Sequence, residues 1–128
     1  MAAAEQLYDA LYQWNKRGSL SITQTSLAFF SDLDSAAAIG EYEISSPTYL
    51  NLTKAVRSYA DSFIAIVQKY TPADGSLAEQ FGRDSGLPVS AAHLTWSYAA
   101  FLTAISRRDG IVPNSWGSPS SNARSVAC

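Results

Sequence analysis

The chain has few residues that can bind metal or form bridges. Among its 128 residues there is one histidine, His93, and one cysteine, Cys128, the last residue. A zinc shell needs four ligands drawn largely from such groups, so no zinc site assembles from this chain. A lone thiol closes no internal disulfide. Charge is also scarce, at 16% of residues with a formal net charge of -2, so no basic field gathers nucleic acid. No apolar run reaches the ~18 residues of a membrane span. The opening Met1-Ala2-Ala3-Ala4-Glu5 lacks the basic and apolar regions of a signal peptide. Glycines are spaced for turns at Gly75, Gly82 and Gly86 rather than for a phosphate cradle at a helix start. There is no Gly-x-Ser-x-Gly elbow. No cofactor is expected.

What the chain has is apolar material in helical register. Hydrophobic residues make up 47% and aromatics 12%, enough for the core of one domain. Residues 1–16 set Leu7, Leu11 and Trp14 on one stripe and Ala4, Tyr8 and Tyr12 on the next. No Ser, Thr, Asp or Asn precedes them as an N-cap, as though the helix were cut from something longer. Lys16, Arg17 and Gly18 form a favourable end, with cations at the negative dipole end and glycine as the cap. Residues 23–33 predict a shorter helix, capped by Thr23 or Thr25, with Leu27, Phe30 and Leu33 inward. The link from Asp34 to Ser46 reads as irregular, with a short extended piece at 41–44.

Ser46 and Pro47 open the longest helix, as N-cap and first-turn residue. Leu52, Val56, Tyr59, Phe63, Val67 and Tyr70 recur along it at spacings of three and four. Asn51-Leu52-Thr53 fits the N-glycosylation pattern, which carries meaning only in a secreted chain. Ser90 is the expected N-cap of a last helix over 90–107. Leu94, Tyr98, Phe101, Leu102 and Ile105 are its buried stripe, and Trp96 lies roughly opposite. From Gly110 onward the tail reads as irregular.

These helices carry apolar groups on more than one side. A four-helix bundle needs one core stripe per helix, so the pattern favours part of a larger all-helical array. The segment Asp74–Gly86 has no helical stripe, three glycines and three carboxylates, Asp74, Glu79 and Asp84. Glu79 sits between Leu77 and Phe81, which can anchor its backbone while the carboxylate points away. Its plain reading is a solvated loop glutamate. His93 reads as a partly exposed helix residue rather than a base. Aromatics beside a loop carboxylate also make a sugar site, because sugar rings stack on Trp and Tyr while carboxylates handle hydroxyls and protons.

Four stretches carry a resemblance: Ala3-Ala4-Glu5-Gln6-Leu7-Tyr8-Asp9-Ala10-Leu11-Tyr12-Gln13-Trp14, Asp74-Gly75-Ser76-Leu77-Ala78-Glu79-Gln80-Phe81, Leu94-Thr95-Trp96-Ser97-Tyr98-Ala99-Ala100 and Val112-Pro113-Asn114-Ser115-Trp116-Gly117. In this order they resemble the C-terminal part of the catalytic domain of fungal glucoamylases, glycoside hydrolase family 15. The resemblance implies an all-α fold, roughly the last quarter of an (α/α)6 barrel over 1–117, with a Ser/Pro-containing tail over 118–128. It implies that Glu79 is the general base of an inverting hydrolysis that releases glucose from non-reducing ends of starch and maltooligosaccharides. Ser90 matches a serine that helps hold the base, and Trp96 matches an aromatic near the sugar. Gln80 is a substrate-binding or supporting residue. The general acid comes from a part of the family that this chain does not match, so the isolated chain is expected to be inactive. Cys128 matches a cysteine whose partner lies upstream, which implies a secreted, oxidised, monomeric parent enzyme. Asp74 stands where many relatives carry an asparagine sequon. The alternative from another class is a non-catalytic helical interaction module.

Overall fold

Gly18 ends the first helix and turns the chain into a strand. The computed structural model describes residues 1–112. In it α1 (Ala2–Arg17) stops at Gly18, φ 80°, whose amide donates to the carbonyls of Trp14 and Asn15. That left-handed conformation costs a residue with a Cβ about 1–2 kcal/mol and glycine almost nothing. Lys16 and Arg17 lie in the last turn as expected, and Met1 supplies no side-chain cap.

β1 (Ser19–Ile22) then pairs antiparallel with β2 (Gly40–Glu43), Ser19 opposite Glu43 and Ile22 opposite Gly40. β2 covers most of the extended piece expected at 41–44, so the 34–46 link is more regular than its composition suggests. β1 has the strand period, Ser-Leu-Ser-Ile, but it is too short to stand out beside the turn that precedes it. The helix expected at 23–33 begins later: α2 runs Leu27–Leu33. Neither threonine caps it. The Thr23 amide donates instead to Ser26 Oγ at 3.0 Å, in the turn that follows β1.

α3 (Pro47–Tyr70) starts as its sequence implies, with Ser46 Oγ accepting from the Tyr49 amide at 3.2 Å. Leu52, Val56 and Val67 of the expected stripe are buried, whereas Tyr59 is 41% exposed. Its ring stands at the cluster's edge, against Phe63 at 5.0 Å and Phe29 at 6.4 Å between centroids. After β3 (Gln80–Phe81) and β4 (Pro88–Val89), an antiparallel pair, comes α4 (Thr95–Arg108). It begins five residues after Ser90, with Leu94 in extended conformation at its N-cap position and no side-chain cap. Ser90 therefore does not cap this helix. Of the expected α4 stripe, Leu102 is 64% exposed, while Ala104 is fully buried. The reason is that α4 packs against α1 through this small residue, while Leu102 lies on an open groove towards α3.

One buried cluster joins Ala4, Tyr8 and Leu11 of α1, Leu20 and Ile22 of β1, Phe30 of α2, Leu52, Val56 and Ala60 of α3, and Ala104 of α4. α1 lies between α3 and α4, and polar ties reinforce that placement. Tyr8 Oη donates to Asp61 Oδ1 at 2.6 Å, and Arg108 Nε donates to the same oxygen at 2.8 Å. Arg107 Nε lies 2.6 Å from Asp9 Oδ1, and Thr103 Oγ1 donates to Glu5 Oε2 at 2.7 Å. The two arginines at the end of α4 thus do more than oppose its dipole, since they bind α4 to α1 and α3. Between α3 and α4 an apolar groove of about 660 Å³, including Ile64, Val67, Phe101 and Leu102, stays open. The described residues close no ring of helices. None of their helices is long and apolar enough to cross a membrane. The boundary expected at 117/118, the motif beyond Val112 and Cys128 lie outside the described residues.

The tie at Asp61 makes stability depend on pH at both ends. The hydrogen bond from Arg108 and, after it, the one from Tyr8 hold the Asp61 carboxyl below its ordinary 3.8 against the opposing effect of burial. Its contribution is therefore complete above that value and is lost as pH falls through the lower folded value. Burial, then the bond to Asp61, pushes the Tyr8 hydroxyl from 10.0 to about 12. That contribution is complete below pH 10 and lost as pH rises towards 12. Urea unfolding across pH should show Asp61→Asn less stable at neutral pH and flatter in acid. Tyr8→Phe should flatten the alkaline limb instead.

Candidate active site

The loop after α3 is built from successive turns. Thr71 closes the helix, its amide and its hydroxyl both donating to Val67 O. Gly75, at φ 74°, returns its amide to Pro72 O, and Asp74 Oδ1 accepts from the Ser76 amide at 2.9 Å. That backbone bond holds the Asp74 carboxyl below its ordinary range and gives the aspartate a turn-forming role. Ser76, Leu77 and Ala78 then pass inward as buried residues, and the chain surfaces again at Glu79.

The start of α4 holds this extended passage in place. Leu94 N donates to Leu77 O at 3.1 Å, and Ser97 Oγ donates to Ala78 O at 2.9 Å. The Leu77 amide donates to Tyr98 Oη at 3.1 Å. The Glu79 amide donates to Ala91 O at 2.9 Å. Beyond Glu79 the chain turns back through β3 and β4, with Gly82 N donating to Leu87 O and Gly86 N to Gly82 O. Phe81 packs on Tyr70 at 5.9 Å between centroids, so the hairpin rests on the end of α3.

Ser90 follows this hairpin with φ 69°, the one left-handed residue other than glycine in the described chain. Such backbone costs a side-chain-bearing residue free energy, and it recurs where a side chain must be aimed. Here it aims Ser90 Oγ at Glu79 Oε2, to which it donates a hydrogen bond. Glu79 and Gln80 line a recess of about 510 Å³ together with Phe81, Leu94, Trp96 and Ser97. Trp96 is 79% exposed, the most exposed large hydrophobic of the described residues. An indole left open beside a carboxylate can receive the apolar face of a ring while the carboxylate meets a hydroxyl or a water. Among the described residues Glu79 is the only carboxylate lining the recess.

Four of the expected residues therefore meet: Glu79, Gln80 and Trp96 on the recess, and Ser90 behind the carboxylate. Asn51 is separate from them, exposed on α3. His93 is exposed, but it lies in the bend before α4 rather than in the helix as expected, and it is not idle: Nδ1 lies 2.7 Å from Tyr98 Oη, and the two rings are nearly parallel at 6.3 Å. The sequence reading missed the clamp of Ser97 and Tyr98 and the β3–β4 hairpin. The hairpin had a signal, since Gln80-Phe81 and Leu87-Pro88-Val89 flank a glycine-bounded turn. The clamp had none, because periodicity assigned Tyr98 to the core stripe.

The profile of glycosyl hydrolases family 15 matches residues 1–106. The chain belongs to that family. It is 59% identical to a glucoamylase of Neurospora crassa over all 128 residues, which is 20% of that relative. It is 53% identical to glucoamylase-1 of Schizophyllum commune over 116 residues, 91% of this chain and 20% of the other. Among solved structures, the family 15 glucoamylase of Hypocrea jecorina superposes with a TM-score of 0.86 at 57% identity, covering 92% of this chain and 21% of that one. The glucoamylase of Hormoconis resinae gives 0.83 at 51% identity, covering 89% and 20%. The chain spans about a fifth of the length of these relatives. It is thus a part of the helical toroid of family 15, with no closed barrel of its own.

Two glycines in the loop separate backbone strain from steric clash. A Cβ on Gly86, at φ 69°, would stand 2.2 Å from Tyr70 Cε1, whereas one on Gly75, at φ 74°, would meet nothing within 4 Å. Gly75→Ala should cost about 1–2 kcal/mol from conformation alone. Gly86→Ala should cost more and should loosen the hairpin, seen as faster amide exchange at Gly82 in family 15 protein carrying the change.

Proposed function

We propose that this chain supplies the general-base side of the active site of an inverting, exo-acting glucan 1,4-alpha-glucosidase, with Glu79 as the base. The observation that carries the reading is the placement of Glu79. Its amide donates to Ala91 O, the two residues before it are held by the start of α4, its carboxylate is bonded by Ser90, and Trp96 stands open on the same recess. Trp96 serves as a wall for a glucosyl ring, and Gln80 as a neighbouring polar contact. The relatives named glucoamylase lend the substrate class: starch and maltooligosaccharides, cleaved from the non-reducing end.

In this scheme a water on the far side of the ring from the leaving group gives a proton to Glu79 as its oxygen bonds the anomeric carbon. The glycosidic bond breaks as a second carboxyl protonates the leaving oxygen. Inverting enzymes hold the two carboxyls about 6.5–9.5 Å apart so that the water fits between them. With Glu79 the only carboxylate on the recess among the described residues, the acid on this reading comes from another part of the full enzyme. The chain by itself is inactive on this reading. Its open apolar faces, such as Leu102 and Trp96, make it prone to associate. Secretion of the active protein and its action as a monomer belong to the same reading.

Two measurements test it. The purified 128-residue chain should release no glucose from maltose; release that Glu79→Gln abolishes would contradict the inactivity. In an active family 15 protein carrying this segment, Glu79→Gln should lower kcat by about a hundredfold or more. The product of an α-linked substrate should appear first as the β-anomer by NMR; α-glucose as first product rules out inversion.

A further inference from the structure

The bonds that hold the backbone before Glu79 come from α4, and one of them ends on a side chain with a second partner. The amide of Leu77 can only donate, so Tyr98 Oη accepts from it at 3.1 Å. The Tyr98 hydroxyl keeps its own proton, and His93 Nδ1 lies 2.7 Å away to take it when the ring carries its proton on Nε2. The near-parallel stacking of the two rings, 7° apart, fixes that approach. Leu77 is buried, so without the hydroxyl its amide would face no water.

We propose that Tyr98, with its hydroxyl oriented by His93, is a positioning residue for Glu79: it locks the extended Leu77–Glu79 backbone so that the carboxylate stands at one place on the recess. The inference rests on the reading of Glu79 as general base. Ser90 holds the carboxylate at its tip, whereas Tyr98 fixes the chain from which it projects. Neither Tyr98 nor His93 lines the recess, so their effect reaches a substrate only through the loop. Proton abstraction requires the attacking water and its base within a few tenths of an ångström, and a misplacement of ~1 Å can cost about a hundredfold in rate. Binding of the glucosyl ring, carried by Trp96 and by residues outside this chain, depends far less on that distance.

The test compares Tyr98→Phe, which removes only the oxygen, with the parent protein in two settings. In the 128-residue chain, amide exchange at Leu77 and Glu79 should quicken at least about tenfold, with Val56 and Ala60 of the core unchanged. Absence of protection at Leu77 and Glu79 in the unsubstituted chain, or an unchanged rate at Glu79, overturns the clamp. The second setting is the Neurospora crassa relative with this chain in place of its matching fifth. There kcat should fall about tenfold to a hundredfold while KM moves less than about twofold. An unchanged kcat, or a loss confined to KM, overturns the positioning role. If Tyr98→Phe does not fold, His93→Phe keeps a stacked ring and removes the acceptor, and it should shift the same two quantities in the same direction. Glu79→Gln separates the two claims. Full activity in that variant sinks the general-base reading, while its inactivity beside a Tyr98→Phe of parental kcat sinks only the positioning role. A soluble, folded and inactive chimera sinks both.

Discussion

A carboxylate that must stay in one place cannot be carried by a loop that moves, and the loop after α3 is long and rich in glycine. The structure meets this constraint by laying Leu77, Ala78 and Glu79 along the first turn of α4. Every partner of their backbone lies between Ala91 and Tyr98. The start of α4 has no side-chain cap of its own. Its first-turn side chains, Ser97 and Tyr98, are turned outward to the loop instead. The helix therefore cannot shift without moving Glu79, and the loop cannot detach without leaving buried amides and carbonyls unpaired.

The position of α4 in turn rests on α1. Ala104 allows close approach, and Arg107, Arg108 and Thr103 reach acidic groups on α1 and α3. The Arg108–Asp61 pair is half-exposed and weak by itself, while the Arg107 side chain is largely covered beside Asp9. Their value is directional, because two adjacent arginines on one turn reach two different helices. The other side of α4, with Leu102 and the groove towards α3, has no such partner among the described residues. A chain spanning a fifth of its relatives is expected to show unsatisfied apolar faces of this kind, since a toroid buries each helix between neighbours on both sides.

Much of the architecture was legible from residue spacing, but unevenly. Gly18, Ser46 and Pro47 marked helix ends through local backbone chemistry, and local chemistry survives whatever packs around it. Leu52, Val56 and Val67 were rightly placed inside because α3 is long enough for its period to be unambiguous. Tyr59 and Leu102 were misplaced for a common reason: periodicity reveals that a residue lies on an apolar face, not whether another element covers that face. Ser90 was misread as a helix cap because a serine ahead of an apolar stripe is the ordinary cap signal. Its positive φ and its bond to Glu79 depend on a hairpin that the spacing alone did not reveal.

The residues by themselves determined the helical class, the ends of the first and third helices and the family, because these rest on short-range chemistry and on motifs that stand intact in the chain. They also singled out Glu79, Gln80, Ser90 and Trp96 through resemblance. Only the tertiary structure decided that Glu79, Gln80 and Trp96 meet on one recess with Ser90 behind the carboxylate, and that Ser97, Tyr98 and His93 belong to their support. Contacts between residues about twenty positions apart arise when a loop folds back on a helix, and no local pattern of residues encodes that return.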